Sequence, residues 1–144
     1  ERDERIKRLS GKIDRVLVDA PCSGLGTLRR NPDLKWRQGP GVVEEMAQKQ
    51  TSIIQSASRL IKSGGRLVYG TCSFLPEENE LIAQAFSLAN PDFYPLNVAE
   101  IFTDLKIVEP MYLCSGGEDS GRYMQLWPHR HQTDGFFAAV WQRR

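Results

Sequence analysis

The chain has no long apolar run, no closely spaced cysteine pair and no marked excess of one charge. None of its 144 residues lies in an apolar stretch approaching the roughly 20 residues that span a bilayer, which argues against a membrane protein. The cysteines, Cys22, Cys72 and Cys114, are odd in number and widely spaced, so we expect reduced thiols in a cytosolic protein and no metal site. With a net charge of +1, nucleic-acid binding would have to rest on a local basic cluster.

The length suits one domain, and no internal repeat, low-complexity tract or linker divides the chain. The first residues, ERDERIKRL, are charged and include neither methionine nor an apolar signal-peptide core. We therefore expect one structural unit that is an excerpt from a longer protein.

Strand and helix patterns alternate in the first two thirds of the sequence. RVLVDAP (15–21) predicts a central parallel strand buried on both faces, and apolar residues at helical spacing predict a long amphipathic helix over 42–61. GRLVYGT (65–71) predicts a second buried strand, and PEENELIAQAFSLAN (76–90) predicts a second helix. This alternation is typical of an α/β fold in which crossover helices join parallel strands.

The pattern changes after Asn90. DFYPLNV (92–98) is compatible with a short strand, and the stretch from 101 to 122 is irregular. YMQLWP (123–128) and GFFAAVWQ (135–142) predict an antiparallel pair. We therefore expect the parallel strands to be followed by an antiparallel hairpin at the edge of the sheet.

Two cysteines come directly after the predicted buried strands. Ligand sites of open parallel sheets lie beyond the carboxyl ends of the strands, where Cys22 and Cys72 would both lie. Neighbouring strands are about 4.8 Å apart, so both thiols could face one small substrate. A lone cysteine is more often a buried small hydrophobic residue, but the paired positions favour a site.

The residues around both cysteines are similar to those of a known family. DAPCSGLGTLRRNPDLKWR (19–37) and YGTCSFLPEENE (69–80) resemble the two cysteine motifs of RNA cytosine-5 methyltransferases, particularly the bacterial Sun/Fmu group that acts on ribosomal RNA. LWPHRHQTDGFFAAVW (126–141) resembles that group's closing motif. The resemblance implies a Rossmann-like fold, S-adenosylmethionine as cofactor and methylation of a cytosine in 16S ribosomal RNA.

The resemblance also implies roles for individual residues. Cys72 would be the nucleophile that adds to carbon 6 of cytosine, and Cys22 would assist release of the product. Spacing alone does not assign these roles, because DNA enzymes of related chemistry attack from a Pro-Cys motif like Pro21-Cys22. Asp19 would bond the flipped base, or would simply form a turn, and Asp19 and Pro21 would face the cofactor.

A basic cluster that includes Trp36 follows the first cysteine. Its members are Arg29, Arg30, Lys35 and Arg37. Such a cluster suits contacts with RNA phosphates, although a charge run can also be a solvated face. A second candidate group comprises His129, Arg130, His131 and Asp134. This second group could contact substrate or form a polar hairpin loop.

A methyltransferase of this class needs a glycine-rich turn and an acidic ribose-binding residue, and neither precedes Val16. We therefore expect residues 1–144 to be the C-terminal portion of the catalytic domain, with weak or no cofactor binding alone. The strand over 15–19 would then lack a neighbour, and would self-associate or be covered by the charged amino terminus. Competing hypotheses are a non-catalytic RNA-binding module and a dithiol redox protein.

Overall fold

The computed structural model describes residues 4–37, 39 and 41–144. The strands in this part of the chain are β1 (Ile13–Asp19), β2 (Ile61–Thr71), β3 (Phe93–Leu96), β4 (Met124–Leu126) and β5 (Phe136–Arg143). The helices are α1 (Glu4–Lys7), α2 (Leu34–Arg37), α3 (Val42–Ser58), α4 (Glu80–Ala89), α5 (Val98–Asp104) and α6 (Pro128–His131). Short 3-10 turns cover Leu25–Thr27, Pro76–Glu78, Pro110–Leu113 and Gly117–Asp119. None of the described helices is long and apolar enough to cross a membrane.

The five strands form one mixed sheet in the order β1, β2, β5, β3. β1 and β2 are parallel and are connected through α3, as the strand and helix alternation predicts. β5 runs antiparallel to β2, β3 and β4. The two short strands share one edge of β5, because β4 pairs with residues 136–138 and β3 with residues 140–143.

The positions of two strands can be compared with the sequence prediction. β1 was expected to lack one neighbour in this chain, and in the described chain it pairs only with β2; its expected burial on both faces is wrong, since Leu17 is 71% exposed. β5 was expected at an edge, but it lies inside the sheet. An apolar run indicates that a strand can be buried, but the neighbours that bury it depend on the tertiary structure.

The amino terminus does not cover the edge of β1. After α1, the Gly11 amide donates to the Arg59 carbonyl at 2.9 Å, which ties this segment to the end of α3. Ile6 lines a cavity there with Ile53 and Leu60. Of the two expected outcomes for residues 15–19, covering by the amino terminus is therefore wrong for the described residues, which exclude residues 1–3, and self-association stays a prediction.

The ends of both long helices also differ from the sequence prediction. α3 ends at Ser58 rather than at residue 61, because Ile61 is fully buried as the first residue of β2 and pairs with Ile13. The second helix begins at Glu80, after the 3-10 turn Pro76–Glu78. This extra turn matters because it follows the second cysteine.

The main core lies where α3 and α4 pack against the sheet. Its largest fully buried side chains include Tyr69 of β2 and Phe137 and Trp141 of β5. A smaller cluster that includes Cys114 packs against Val140, which points to the opposite face of β5 from Trp141. Both faces of β5 therefore carry apolar side chains that pack against other elements.

Candidate active site

The carboxyl ends of β1 and β2 lie side by side, and each strand continues into a cysteine-bearing turn. Parallel pairing places Asp19 beside Gly70, and the Ala20 amide donates to the Gly70 carbonyl at 2.9 Å. We call residues 20–24 the Cys22 turn and residues 72–75 the Cys72 turn. Both turns lie at the carboxyl ends of the parallel strands, where the sequence predicted a site.

The thiols of these turns are in direct contact. The Sγ atoms of Cys22 and Cys72 are 3.4 Å apart, and both side chains are half-buried. The hydrogen bond from Cys22 lowers the pKa of Cys72 to about 7, although burial and the charges of Asp19 and Glu78 oppose this. The same hydrogen bond, followed by burial, raises the pKa of Cys22. The contact therefore favours the ionised form of one thiol of the pair, and the thiolate is the nucleophilic form of a cysteine.

Gly26 allows the two turns to approach closely. Its amide donates to the Cys72 carbonyl at 2.9 Å, and its own carbonyl accepts from the Gly135 amide at 2.8 Å. A Cβ atom at residue 26 would lie 2.4 Å from the Gly135 oxygen and 2.7 Å from the Cys72 oxygen. Gly24 has a φ of 73°, a conformation that favours glycine. Gly26 is therefore needed for the close approach of the two backbones, and Gly24 for the left-handed conformation of the Cys22 turn.

Buried side chains fix the shape of the Cys72 turn. The Thr71 hydroxyl donates to Asn79 Oδ1 at 2.5 Å and accepts from the Ser73 amide at 3.2 Å. Asn79 Nδ2 donates to the Ser73 carbonyl at 3.0 Å, and Ser73 Oγ accepts from the Leu75 amide at 3.1 Å. The buried polar groups of this turn thus bond to one another, which orders the backbone beside Cys72.

Sequence analysis missed Glu78, a fully buried residue between the two turns. Its carboxylate accepts hydrogen bonds from both the amide and the hydroxyl of Ser23. In the sequence, Glu77 and Glu78 both look like acidic residues placed near a helix amino terminus to complement its dipole. No local sequence signal separates the buried glutamate from its exposed neighbour.

The structure places Asp19 and Pro21 at the exposed carboxyl end of β1. The charge of Asp19 raises the pKa of Cys72, which means that the carboxylate lies within electrostatic range of the thiol. An exposed carboxylate and an exposed ring beside a reactive thiol suit one wall of a larger pocket. The contact of Asp19 and Pro21 with the methyl donor stays a prediction.

Part of the basic cluster lies close to the thiol pair. Arg30 forms an ion pair with Asp134, with Nη2 2.5 Å from Oδ2. The hydrogen bond and charge of Asp134 raise the pKa of Arg30, and the charge of Cys72 adds a smaller effect in the same direction. Arg29 is exposed and also interacts electrostatically with Asp134. Asp134, from the second candidate group, thus joins the basic cluster.

The rest of the basic cluster forms α2. Arg37 forms an ion pair with Asp33, and Lys35 Nζ lies 4.8 Å from the centre of the Trp36 ring. Trp36 is 78% exposed. An exposed indole flanked by cations offers a stacking surface for a nucleotide base.

The second candidate group serves mainly to build a loop. His131 Nδ1 accepts from the Trp127 amide at 2.8 Å, and its Nε2 lies 2.7 Å from the Tyr112 carbonyl. Arg130 packs over the Tyr112 ring, with 4.9 Å between guanidinium and ring centre, while His129 is exposed. These contacts favour the polar-loop interpretation for His131 and Arg130.

The third cysteine lies apart from this site. Cys114 is 3% exposed and packs with Val98 and Ala99, and burial raises its pKa. Within residues 4–37, 39 and 41–144, no group of three or more His, Cys, Asp or Glu side chains could hold a metal ion.

A sequence model of the 16S rRNA methyltransferase RsmB/F family matches residues 2–142. The chain belongs to this family. Ribosomal RNA small subunit methyltransferase B of Escherichia coli O1:K1 / APEC is 40% identical over 128 residues, which cover 89% of this chain. Membership in a methyltransferase family implies S-adenosylmethionine as the methyl donor.

Solved structures agree with the family assignment and with the fold. PH0851 is 39% identical with a TM-score of 0.78 over 93% of this chain. NSun6 from Pyrococcus horikoshii, solved with SFG, is 27% identical with a TM-score of 0.71 over 96% of this chain. The mixed sheet with its helices is therefore part of a Rossmann-like α/β methyltransferase fold.

The chain spans only part of the proteins that it resembles. It covers 26% of the Escherichia coli protein, 27% of PH0851 and 32% of NSun6. The activity of the complete protein is therefore inferred below.

Proposed function

We propose that the complete enzyme containing this chain transfers a methyl group from S-adenosylmethionine to carbon 5 of a cytosine in 16S ribosomal RNA, through a covalent cysteine intermediate. The carrying observation is the pair of thiols 3.4 Å apart at two adjacent strand ends, with the pKa of Cys72 lowered to about 7. Membership in the RsmB/F family supports the reaction class and an RNA substrate.

Cys72 acts as the nucleophile in this proposal. Its thiolate forms a bond to carbon 6 of cytosine, and the electrons of the ring double bond move toward carbon 5, which becomes nucleophilic. Asp19 accepts a hydrogen bond from the exocyclic amine of the base, and a proton held between its carboxyl group and the ring nitrogen stabilises the negative charge that develops there during addition. The hydrogen bond from Cys22 supports this step because it keeps Cys72 partly ionised.

Cys22 acts in the release step. Once the Cys72 sulfur is bonded to carbon, the thiolate that raises the pKa of Cys22 is gone, so Cys22 ionises more easily. Cys22 then accepts the proton from carbon 5, the ring double bond forms again, and the bond between Cys72 and carbon 6 breaks. The Cys72 thiolate leaves as methylated RNA is released.

S-adenosylmethionine, when bound, supplies an electrophilic methyl group. Asp19 and Pro21 fit one wall of its site, because both are exposed at the end of β1. We infer that residues 1–144 form the C-terminal portion of the catalytic domain; their coverage of 26% of the Escherichia coli relative supports a part of a longer protein without locating it. The glycine-rich turn would then be supplied by another part of the complete protein.

The basic cluster binds the RNA in this proposal. Arg29, Lys35 and the exposed Trp36 offer charges and a ring to phosphates and bases. Arg30 and Arg37 can join them if a phosphate replaces the carboxylates of Asp134 and Asp33.

Covalent trapping tests the proposal. In the complete enzyme with RNA and cofactor, Cys22→Ala should accumulate a long-lived adduct on Cys72, whereas Cys72→Ala should form none. A denaturing gel shift measures the adduct, and Cys114→Ala is the control for loss of a cysteine outside the pair. An adduct that persists in Cys72→Ala but disappears in Cys22→Ala would reverse the roles. Methyl transfer to a base other than cytosine would refute the reaction.

A further inference from the structure

A buried carboxylate connects the residues that follow the two cysteines. Glu78 is 0% exposed, and its Oε1 accepts from the Ser23 amide at 2.7 Å. Its Oε2 accepts from the Ser23 hydroxyl at 2.6 Å. Since Ser23 directly follows Cys22, both the main chain and the side chain next to that thiol are bonded to Glu78.

The residue preceding Cys22 is held by the same network. Gln50 of α3 is 0% exposed, and its Nε2 donates to Glu78 Oε1 at 3.3 Å and to the Pro21 carbonyl at 3.0 Å. Residues on both sides of Cys22 are therefore attached to the carboxylate, one directly and one through α3.

Glu78 is in turn fixed to the Cys72 turn. Its carbonyl accepts from the Tyr69 hydroxyl at 2.6 Å, and its neighbour Asn79 donates to the Ser73 carbonyl at 3.0 Å. Ser73 Oγ also lies 3.4 Å from Ser23 Oγ. The carboxylate thus belongs to the framework of one turn and holds the other.

We propose that Glu78 is a positioning residue, whose buried carboxylate joins the Cys22 turn to the Cys72 turn and keeps the two thiols in contact. Burial of a carboxyl group away from water is unfavourable, and here the hydrogen bonds from Ser23 and Gln50 offset that cost. The inference rests on the proposed function, because the contact between the thiols matters only if Cys72 is the nucleophile.

Removal of the Glu78 carboxylate should raise the pKa of Cys72 if Glu78 positions the Cys22 turn, and lower it if Glu78 acts only through its charge. The groups that face Cys72 are Cys22, whose hydrogen bond is the largest effect and lowers this pKa, Asp19 and Glu78, whose charges raise it, and Arg30. If the Cys22 turn moves away when the link is lost, the pKa of Cys72 rises. If only the charge of Glu78 mattered, removal of that charge would lower the pKa of Cys72.

The test compares Glu78→Ala and Ser23→Ala in the complete enzyme, with the exposed Glu77→Ala as matched control. Mass spectrometry follows the rate of iodoacetamide alkylation at Cys72 as a function of pH. We expect the pH midpoint of Cys72 alkylation to rise from about 7 toward 9.0 in Glu78→Ala. The rise should be smaller in Ser23→Ala, because the backbone amide of residue 23 still donates a hydrogen bond to the Glu78 carboxylate. Glu78→Gln keeps an oxygen acceptor and should restore a midpoint at or below that of the wild type.

Alkylation of the buried Cys114 reports unfolded molecules in the same experiment. A folded Glu78→Ala protein with an unchanged or lower midpoint would overturn the proposal. If Cys114 is alkylated in Glu78→Ala, that variant is unfolded and Ser23→Ala becomes the test. An unchanged alkylation midpoint of Cys72 in Ser23→Ala would then overturn the proposal. With RNA as substrate, a positioning role of Glu78 predicts that Glu78→Ala has a lower kcat than the wild type at a similar KM.

A wild-type protein without methyl transfer would refute the proposed function, while the alkylation midpoints would still test the role of Glu78.

Discussion

Removal of the Cys22 thiol should make Cys72 a weaker acid. The sulfurs of Cys22 and Cys72 are 3.4 Å apart, and the hydrogen bond between them is the largest cause of the lowered pKa of Cys72. In Cys22→Ala the thiol partner is gone, and burial together with the charges of Asp19 and Glu78 still raises the pKa of Cys72, opposed by a backbone hydrogen bond. In Cys22→Ser a hydroxyl can still donate, so this variant is the matched control.

The size of the effect follows from the ionised fraction. With a pKa of about 7, half of Cys72 is thiolate at pH 7, and with the ordinary value of 9.0 about one molecule in a hundred is ionised. The roughly 50-fold loss of thiolate is partly offset, because a thiolate of higher pKa is intrinsically about 6- to 10-fold more nucleophilic. If the pKa of Cys72 returns to its ordinary value, we therefore expect alkylation at pH 7 to slow by about 5- to 8-fold.

Alkylation with iodoacetamide across about pH 5 to pH 10 measures this directly, with the Cys72 peptide quantified by mass spectrometry. The midpoint should move upward in Cys22→Ala and stay closer to that of the wild type in Cys22→Ser. A Cys22→Ala midpoint that remains near 7 would show that the partner thiol does not control Cys72, and would refute the reasoning from the contact.

Three further predictions concern RNA, oxidation and the sheet edge. Replacing Arg29 and Arg30 with alanine should weaken RNA binding and reduce the salt slope by about 0.7 per lost single-strand contact, and an unchanged salt titration would contradict this. Hydrogen peroxide should oxidise Cys72 to a sulfenic acid, which the Cys22 thiol then attacks, forming a disulfide and releasing water; mass spectrometry that finds only intermolecular crosslinks would argue against the contact. The isolated chain should self-associate through residues 15–19 and bind S-adenosylmethionine weakly. A chain that sediments as a monomer and binds S-adenosylmethionine with micromolar affinity in calorimetry would contradict this prediction.

The order of elements and the two cysteine motifs follow from the sequence alone. The apolar runs before Cys22 and Cys72 specify strands, the apolar stripe of α3 specifies a helix, and a helix between two such strands favours parallel pairing. Parallel strands end at one edge of the sheet, which is why the two thiols could be expected to meet. The family resemblance added the chemistry, because its motifs lie within these same segments.

Only the tertiary structure decided which partners these elements have. The position of β5 between β2 and the two short strands depends on pairings distant in sequence, and periodicity specifies the faces of a strand without specifying its neighbours. Likewise, Glu78 and Ser23 are 55 residues apart, and Arg30 and Asp134 are 104 apart. Local sequence patterns do not distinguish Glu78 from the adjacent Glu77. Glu78 becomes buried between the cysteine turns only because the sheet brings those two turns together.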